Sequence, residues 1–232
     1  MPTTLNNFVV LFRGMLHEKA RYLCKFRLNN YNLQSFGIKL MPRILNHPML
    51  PEIPHTLNCK GQLISLETPK VMGILNLTPD SFYDGGRYQK PEEILRQTEK
   101  MLKEGAAFID IGAYSSRPGA AHVTEEEEES RILPIVELLL SEFPDILLSI
   151  DTFRSSIARS CVSYGATLIN DISAGNQDPQ MIETVGELGI PYVMMHMQGT
   201  PQTMTGLTDY EDLLKEMVYY FSEKIALART AG

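Results

Sequence analysis

The chain has 232 residues, of which 44% are hydrophobic, so it is long enough to bury the core of one domain. Its formal net charge of -7 argues against a general nucleic-acid binder. Its cysteines lie far apart in the sequence, which gives no sign of a disulfide framework or a zinc site and fits a reducing, cytoplasmic setting. No apolar run is long enough to cross a bilayer, so we expect no membrane association.

Residues 1–56 differ from the rest of the chain and are predicted to be an N-terminal extension. The stretch is basic, has no clean periodicity and ends in the proline-rich run HPMLPEIPH. One interpretation is an Arg-rich targeting peptide. The other is upstream sequence translated from too early a start, with Met41 or Met49 as the true beginning. The scarcity of serine and the lack of an obvious cleavage site favour the second.

Residues 57–232 are predicted to form one domain in which strands and helices alternate. NCKGQLISL predicts a small hairpin, and Val71–Leu75 is the first buried strand. Four more apolar segments predict strands at 106–112, 146–151, 166–171 and 191–196. Helices are predicted to begin at Pro91 and at Thr124, which has capping-box spacing to Glu127. Three further helices are predicted at about 153–162, 179–188 and 210–228.

Strict alternation of strands and helices predicts a parallel sheet covered on both faces. Polar residues gather at the carboxyl ends of the strands, where such folds carry their active sites. These residues are Asn76, Asp110, Asp151, Asn170, Asp171 and His196. No Gly-x-Gly-x-x-Gly motif follows the first strand, which favours a (β/α)₈ TIM barrel over a doubly wound sheet. The five predicted units fall short of eight, so we expect a truncated barrel.

Five motifs in order resemble those of the dihydropteroate synthase family. They are MGILNLTPDSFYDGG, IDIGAYSSRPGA, SIDT, LINDIS and VMMHMQGTPQTM. The resemblance covers about residues 57–232 and corresponds to the N-terminal two thirds of that family's barrel. It implies an enzyme of folate biosynthesis, the target class of sulfonamides, that joins 6-hydroxymethyl-7,8-dihydropterin diphosphate to p-aminobenzoate. The implied mechanism is dissociative: diphosphate leaves with the help of Mg²⁺, and the aromatic amine then attacks the pterin methylene.

The resemblance also implies which residues bind the pterin. Asp151 and Asn170 match the pair that grips the edge of the ring, where a carboxylate accepts paired N–H bonds and an amide both donates and accepts. Ile74 and Met195 match residues that contact the ring faces. Taken alone, Asp151 has the alternative role of an N-cap for the helix predicted at 153–162. Asp110 is interpreted as a supporting carboxylate, with a purely structural role left open.

The same resemblance assigns the diphosphate and p-aminobenzoate ends of the site. Asn76 matches the Mg²⁺ ligand, and its amide oxygen suits a metal shared with phosphate and water. Asp84 and Arg117 are the other residues with an implied catalytic role. Phe82, Ser116, Arg117 and Pro118 are the implied substrate contacts on the two loops. His196 is interpreted mainly as a rim histidine without a catalytic role.

The sequence also departs from the family pattern. Tyr114 and Ser116 stand where the family more often has Glu and Thr, and the later Asp-Pro-Gly-x-Gly-Phe-Gly-Lys and Ser-x-Arg-x-His motifs are missing. We therefore expect the activity to belong to the full-length parent, which the resemblance implies is a homodimer. Two alternatives remain open: a domain that binds methyltetrahydrofolate for methyl transfer, and a non-catalytic pterin-binding remnant.

Overall fold

The computed structural model describes residues 8–11, 56–77, 83–84, 87–88, 91–114 and 123–232, with backbone only at 8–11, 83–84 and 87–88. The strands are β1 Phe8–Leu11, β2 Thr56–Cys59, β3 Gln62–Ser65, β4 Val71–Asn76, β5 Tyr83–Asp84, β6 Arg87–Tyr88, β7 Ala106–Gly112, β8 Leu148–Asp151, β9 Leu168–Asp171 and β10 Tyr192–Met195. The α-helices are α1 Pro91–Lys103, α2 Glu125–Glu142, α3 Ser155–Tyr164, α4 Met181–Leu188 and α5 Leu213–Ala231, and a 3₁₀ turn covers Met204–Gly206.

The main sheet has six strands in the order β1-β10-β9-β8-β7-β4, and every pairing in it is parallel. From β4 to β10 the strands follow one another in chain order, with α1 to α4 forming the connections. This is the strand order of a (β/α)₈ barrel wall, so the predicted fold class and all five predicted strands are confirmed. One further strand, β1 near the start of the chain, lies outside that series and pairs with β10.

The two faces of the sheet have different partners. Residues such as Ile109, Ile150 and Tyr192 face the helices and belong to the larger apolar core. Alternate positions, such as Phe108, Leu168 and Val193, belong to a second apolar cluster that includes Leu57 and Cys59 of the first hairpin. The predicted β2–β3 hairpin therefore packs against the amino-terminal half of the inner face, and the helices cover the outer face.

The helix starts show how local sequence sets the ends of the elements. Thr124 caps α2 by accepting a hydrogen bond from the Glu127 amide at 3.2 Å, as the capping-box spacing predicts. Asp212 caps α5 by accepting from the Lys215 amide at 3.0 Å, so this helix begins three residues later than predicted. Among the described residues, none of the helices combines the length and apolar character needed to cross a membrane.

Candidate active site

Four residues form a row across the carboxyl-terminal edge of the sheet. Asn76 on β4 lies opposite Gly112 on β7, and Asp151 on β8 lies opposite Asn170 on β9. The two pairs are neighbours, because Gly112 lies next to Asp151. A Cβ atom built on Gly112 would be 3.2 Å from Cβ of Asp151 and 3.3 Å from its Oδ2. Since successive side chains of a strand alternate between faces, all four positions belong to the inner face.

A second row lies one layer deeper and carries a buried carboxylate. Asp110 is 3% exposed and lies opposite Ile74 on one side and Ser149 on the other. The Ser149 hydroxyl donates to Asp110 Oδ1 at 2.6 Å, and the Asn170 side-chain amide donates to Asp110 Oδ2 at 3.0 Å. Asp110 therefore fixes the orientation of Asn170 from beneath, which gives it a place in the candidate site itself.

The structure separates the two roles proposed for Asp151. Helix α3 begins at Ser155, and the amide of Ser155 donates to Asp178 Oδ2 at 2.7 Å. The amide of Arg154 donates to Thr152 Oγ1 at 3.2 Å. Because these two groups meet the amides at the start of the helix, the N-cap alternative for Asp151 has no support. The Asp151 side chain lies over Gly112 on the inner face instead.

The loop after β9 is held by a buried aspartate on the opposite face of the strand. Asp171 accepts hydrogen bonds from the amide and hydroxyl of Ser173, from the amide of Gly175 and from the hydroxyl of Tyr192, at 2.6 to 2.7 Å. Burial raises the pKa of the Asp171 carboxyl above its usual range, although these hydrogen bonds favour the ionised form. This network holds the end of β9, where Asn170 lies.

The structure describes some of the remaining predicted site residues and not others. Ile74 and Met195 are half-buried at inner-face positions, beside Asp110 and at the end of β10 respectively. Asp84 lies in β5, which pairs with β6 in a two-residue antiparallel ribbon, and its side chain is not described. The other predicted loop residues lie outside the described residues: Phe82, Ser116, Arg117 and Pro118.

His196 follows β10 and packs among aromatic rings. Its ring centroid lies 4.8 Å from that of Tyr220 and 5.8 Å from that of Tyr210. Burial lowers the pKa of the imidazole, which Glu216 partly counteracts. These contacts agree with the interpretation of His196 as a packed rim residue, and its neutral form is favoured.

Asn76 is the residue assigned to Mg²⁺, and its chemistry fits that assignment. Its half-buried amide stands at the end of β4, at the open edge of the inner face. Within the described ranges, no group of three or more His, Cys, Asp or Glu side chains is placed to hold a metal ion. Mg²⁺ in phosphate-transfer sites is commonly bound through one or two protein oxygens, with phosphate oxygens and water completing its shell. A single rim amide suits a metal bound in that way.

Comparison with known proteins assigns the family. The model of the family described as "Pterin binding enzyme" matches residues 72–232, which is more than half of the chain. The chain belongs to the pterin-binding enzyme family. The matched part includes β7, β8, β9 and β10, and it includes all of β4 except its first residue. These are the five strands that carry polar residues at their carboxyl ends.

Several relatives of the chain are named dihydropteroate synthase. The dihydropteroate synthase of Synechocystis is 45% identical over 162 residues, and that of Escherichia coli K12 is 41% identical over 173 residues. These alignments cover 70% and 75% of this chain but 56% and 61% of the relatives. A crystal structure of the Yersinia pestis dihydropteroate synthase with a sulfonamide drug complex is 42% identical, with a TM-score of 0.68. The matched region covers 76% of this chain and 64% of the Yersinia pestis chain. This chain therefore spans about three fifths of the length of these three relatives.

Sequence reasoning missed part of this candidate site. Ser149 was not singled out, and Asp110 was given only a supporting role. The available signal was the period of two along β7 and β8. Asp110 and Gly112 share a face, as do Ser149 and Asp151, so the rim prediction for Asp151 already placed Ser149 beneath it. The contact between Asp110 and Asn170 depends on strand register and has no local sequence signal.

Proposed function

We propose that this chain supplies the pterin-binding part of a dihydropteroate synthase. The reaction joins 6-hydroxymethyl-7,8-dihydropterin diphosphate to p-aminobenzoate and releases diphosphate. The observation that carries the proposal is the group formed by Asp110, Asp151 and Asn170 on one face of adjacent strands. The 41% to 45% identity to the named relatives supports the choice of reaction within the family.

The arrangement of these side chains suits the edge of a flat heterocycle. A pterin edge displays an amino group and ring N–H donors beside acceptor nitrogens, so it requires fixed acceptors and a fixed donor. Asp151 supplies a carboxylate at the rim, and Asn170 supplies an amide whose rotation is limited by its bond to Asp110. Ile74 lies opposite Asp110 in the register, where it offers apolar contact beneath the ring. Preorganised groups of this kind avoid the cost of reorienting when the ligand binds.

The diphosphate would extend from the pterin toward β4. Asn76 would hold Mg²⁺ there, and the metal when bound would stabilise the charge that develops on the leaving diphosphate. Arg117, Asp84 and Phe82 are proposed to complete the site from the loops after β4 and β7. The protein's part in this reaction is to position the two substrates, so it needs no covalent nucleophile.

Three further properties are proposed for the complete protein. We propose a cytoplasmic location, a homodimer and inhibition by sulfonamides, each resting on the resemblance to dihydropteroate synthases. The homodimer can be checked by light scattering on the protein extended to the full length of its relatives. Sulfonamide inhibition can be checked by competition against p-aminobenzoate in the same preparation.

Calorimetry on this chain tests the proposed pterin site. Titration of pterin diphosphate in the presence of Mg²⁺ should give saturable binding, and the Asp151→Ala variant should lose it. The variant Asp145→Ala is the matched control, because Asp145 is exposed in the turn before β8, at the other end of the same strand. Equal affinity of the wild-type chain and the Asp151→Ala variant would contradict the proposed pocket.

Turnover is tested on the protein extended to full length. Isotope-labelled p-aminobenzoate should appear in dihydropteroate, which a methyltetrahydrofolate-binding domain or a non-catalytic remnant would not produce. The Arg117→Ala variant should lower turnover and leave pterin affinity nearly unchanged. A variant with the wild-type rate would remove Arg117 from the proposed mechanism.

A further inference from the structure

Tyr114 contacts two elements that are remote from it in sequence. It follows β7 by two residues, and its ring meets that of Phe153 edge to face with centroids 5.0 Å apart. Its hydroxyl accepts a hydrogen bond from the side-chain amide of Gln202 at 2.8 Å. Gln202 belongs to the loop after β10, so a single side chain links the segment after β7 with that loop across the rim.

Arg154 lies over the same tyrosine and is itself held in place. Its guanidinium carbon is 5.5 Å from the Tyr114 ring centroid and 5.1 Å from that of Phe153. The group also forms an ion pair with the fully buried Glu128, whose other oxygen accepts from the Thr152 hydroxyl at 2.7 Å. The ion pair fixes the orientation of the Arg154 guanidinium, and this orientation places it over the two aromatic rings in cation–π contact.

The same guanidinium reaches the chain where it returns toward α2. Arg154 donates to the carbonyl oxygens of Val123 at 2.7 Å and Thr124 at 3.4 Å. Tyr114 precedes the stretch 115–122, and Val123 follows it. The described residues on the two sides of that stretch therefore contact one arginine, Tyr114 through its ring and Val123 and Thr124 through their carbonyl groups.

The loop that carries Gln202 is ordered by its own hydrogen bonds. Gly199 has a φ of 74°, a conformation that suits glycine, and a Cβ there would lie 2.5 Å from Thr203 Oγ1. The Thr200 amide donates to Thr203 Oγ1 at 3.0 Å, and the Met204 amide donates to the Thr200 carbonyl at 2.9 Å. Gln202 lies between Thr200 and Thr203 in this hydrogen-bonded turn. The bond from its side chain to Tyr114 therefore restrains the turn as a whole.

We infer that Tyr114, Arg154 and Gln202 form a rim brace that joins the end of β7, the chain just before α2 and the loop after β10. Tyr114 is the central member, because it alone contacts both of the other two. The consequence for catalysis rests on the proposed function: 115–122 contains Ser116 and Arg117, which the resemblance assigns to p-aminobenzoate and diphosphate. On that proposal, a brace that holds Tyr114 and Val123, the residues on either side of 115–122, affects the second substrate and leaves the pterin edge at Asp110, Asp151 and Asn170 unaffected.

Hydrogen exchange measured amide by amide on this chain tests the brace without any ligand. In Tyr114→Phe, which keeps the ring and removes only the hydroxyl, the amides of Thr203 and Met204 should exchange about fivefold faster, the equivalent of one hydrogen bond. In Gln202→Leu, the amides of Glu127 and Glu128 at the start of α2 should also exchange faster, since the effect passes through Tyr114 and Arg154. The control is Tyr164→Phe, at a tyrosine that is 52% exposed at the end of α3.

A conservative substitution separates positioning from general weakening. Gln202→Glu keeps the contact, because the tyrosine hydroxyl can donate to a carboxylate, so both sets of amides should return to wild-type rates. The same change combined with Tyr114→Phe should not restore them. The inference is overturned if each substitution speeds exchange only beside itself, or if Gln202→Glu behaves like Gln202→Leu.

Calorimetry then separates the brace from the proposed function. Pterin diphosphate with Mg²⁺ should bind Tyr114→Phe and the wild-type chain equally, and a lower pterin affinity in the variant would contradict a role confined to the second substrate. A wild-type chain that binds no pterin diphosphate would overturn the proposed function. The exchange measurements would still decide whether the brace exists.

Discussion

The side-chain amide of Asn170 on β9 donates to the carboxylate of Asp110 on β7, passing over the intervening strand β8. The same group accepts from Ser149 on β8, so three strands share one buried carboxyl group. Each of its two oxygens accepts a hydrogen bond, which offsets the cost of burying Asp110 to 3% exposure. The amide of Asn170 is thereby held in one orientation before any ligand arrives.

Asp110→Asn should weaken pterin binding about tenfold or more. The neutral amide loses two charge-assisted hydrogen bonds, and it can present an N–H group toward the Asn170 donor, which would release that side chain from its present orientation. Calorimetry with pterin diphosphate and Mg²⁺ measures the change. Asp145→Asn, an identical change at an exposed position, should bind as the wild-type chain does. Equal affinities for all three proteins would show that Asp110 has no part in the site.

Gly112→Ala should lower pterin affinity by about tenfold while the chain still folds. The added methyl group would lie 3.2 Å from Cβ of Asp151 and 3.3 Å from its Oδ2, so the carboxylate has to shift by a few tenths of an ångström. Small displacements of positioned groups cost large factors in ligand recognition. Gly206→Ala is the control, since a Cβ at Gly206 meets no atom within 4 Å. Circular dichroism confirms folding, and unchanged affinity would place Asp151 outside the pterin contact.

Asp178→Ala should destabilise the protein by about 1 kcal/mol near neutral pH, the usual cost of a lost helix cap. Burial alone would raise the pKa of the Asp178 carboxyl, but hydrogen bonds from Ser155 and from the Gln180 amide outweigh it and hold the pKa below 3.8. The stabilisation is therefore present above that value and is lost as the pH falls through the lower pKa of the folded protein.

Urea unfolding from pH 6 down to pH 3 checks the cap at Asp178. The difference in unfolding free energy between the wild-type chain and Asp178→Ala should be largest at pH 6 and shrink toward the acid end. Asp209→Ala, at an exposed aspartate before α5, should give no comparable pH-dependent difference. A difference in unfolding free energy that stays constant from pH 6 to pH 3 would contradict an ionised Asp178 cap.

Cys59 and Cys161 should resist thiol reagents in the folded protein. Burial raises the pKa of the Cys59 thiol to about 11, and burial together with the charges of Glu128 and Glu129 raises that of Cys161 to about 12. At pH 8 their thiolate fraction is at least about a hundredfold below that of an ordinary cysteine. Ellman's reagent applied to a Cys24→Ser variant should label both thiols only after urea is added. Rapid labelling of the native variant would show that these sites open readily.

The sequence was sufficient to predict the sheet and the edge that carries the polar residues. Short apolar runs between turn signals identified the five strands, and β7 has the predicted bounds of Ala106–Gly112. Asn76, Asp151 and Asn170 share a face because each ends its strand in the same phase of the alternation. Their roles toward substrate stay predictions.

Features that depend on distant partners were not predictable in the same way. Helix α3 starts at Ser155 because Asp178, 23 residues further along the chain, accepts its amide hydrogen. Tyr114 was recognised as a departure from the family pattern, but its partner Gln202 lies 88 positions away. The strand β1 comes from a stretch without periodicity, and its pairing depends on the edge that β10 offers. Strand register and long-range side-chain bonds are set by tertiary packing, which a single sequence does not display.

The hairpin β2–β3 gives the inner face a floor, since Leu57 and Cys59 pack against Phe108, Leu168 and Val193 below the polar rows. This apolar layer takes the place of water under the buried carboxyl group of Asp110. A ligand held at Asp151 and Asn170 would therefore rest above hydrocarbon and not above solvent, which strengthens the hydrogen bonds made there.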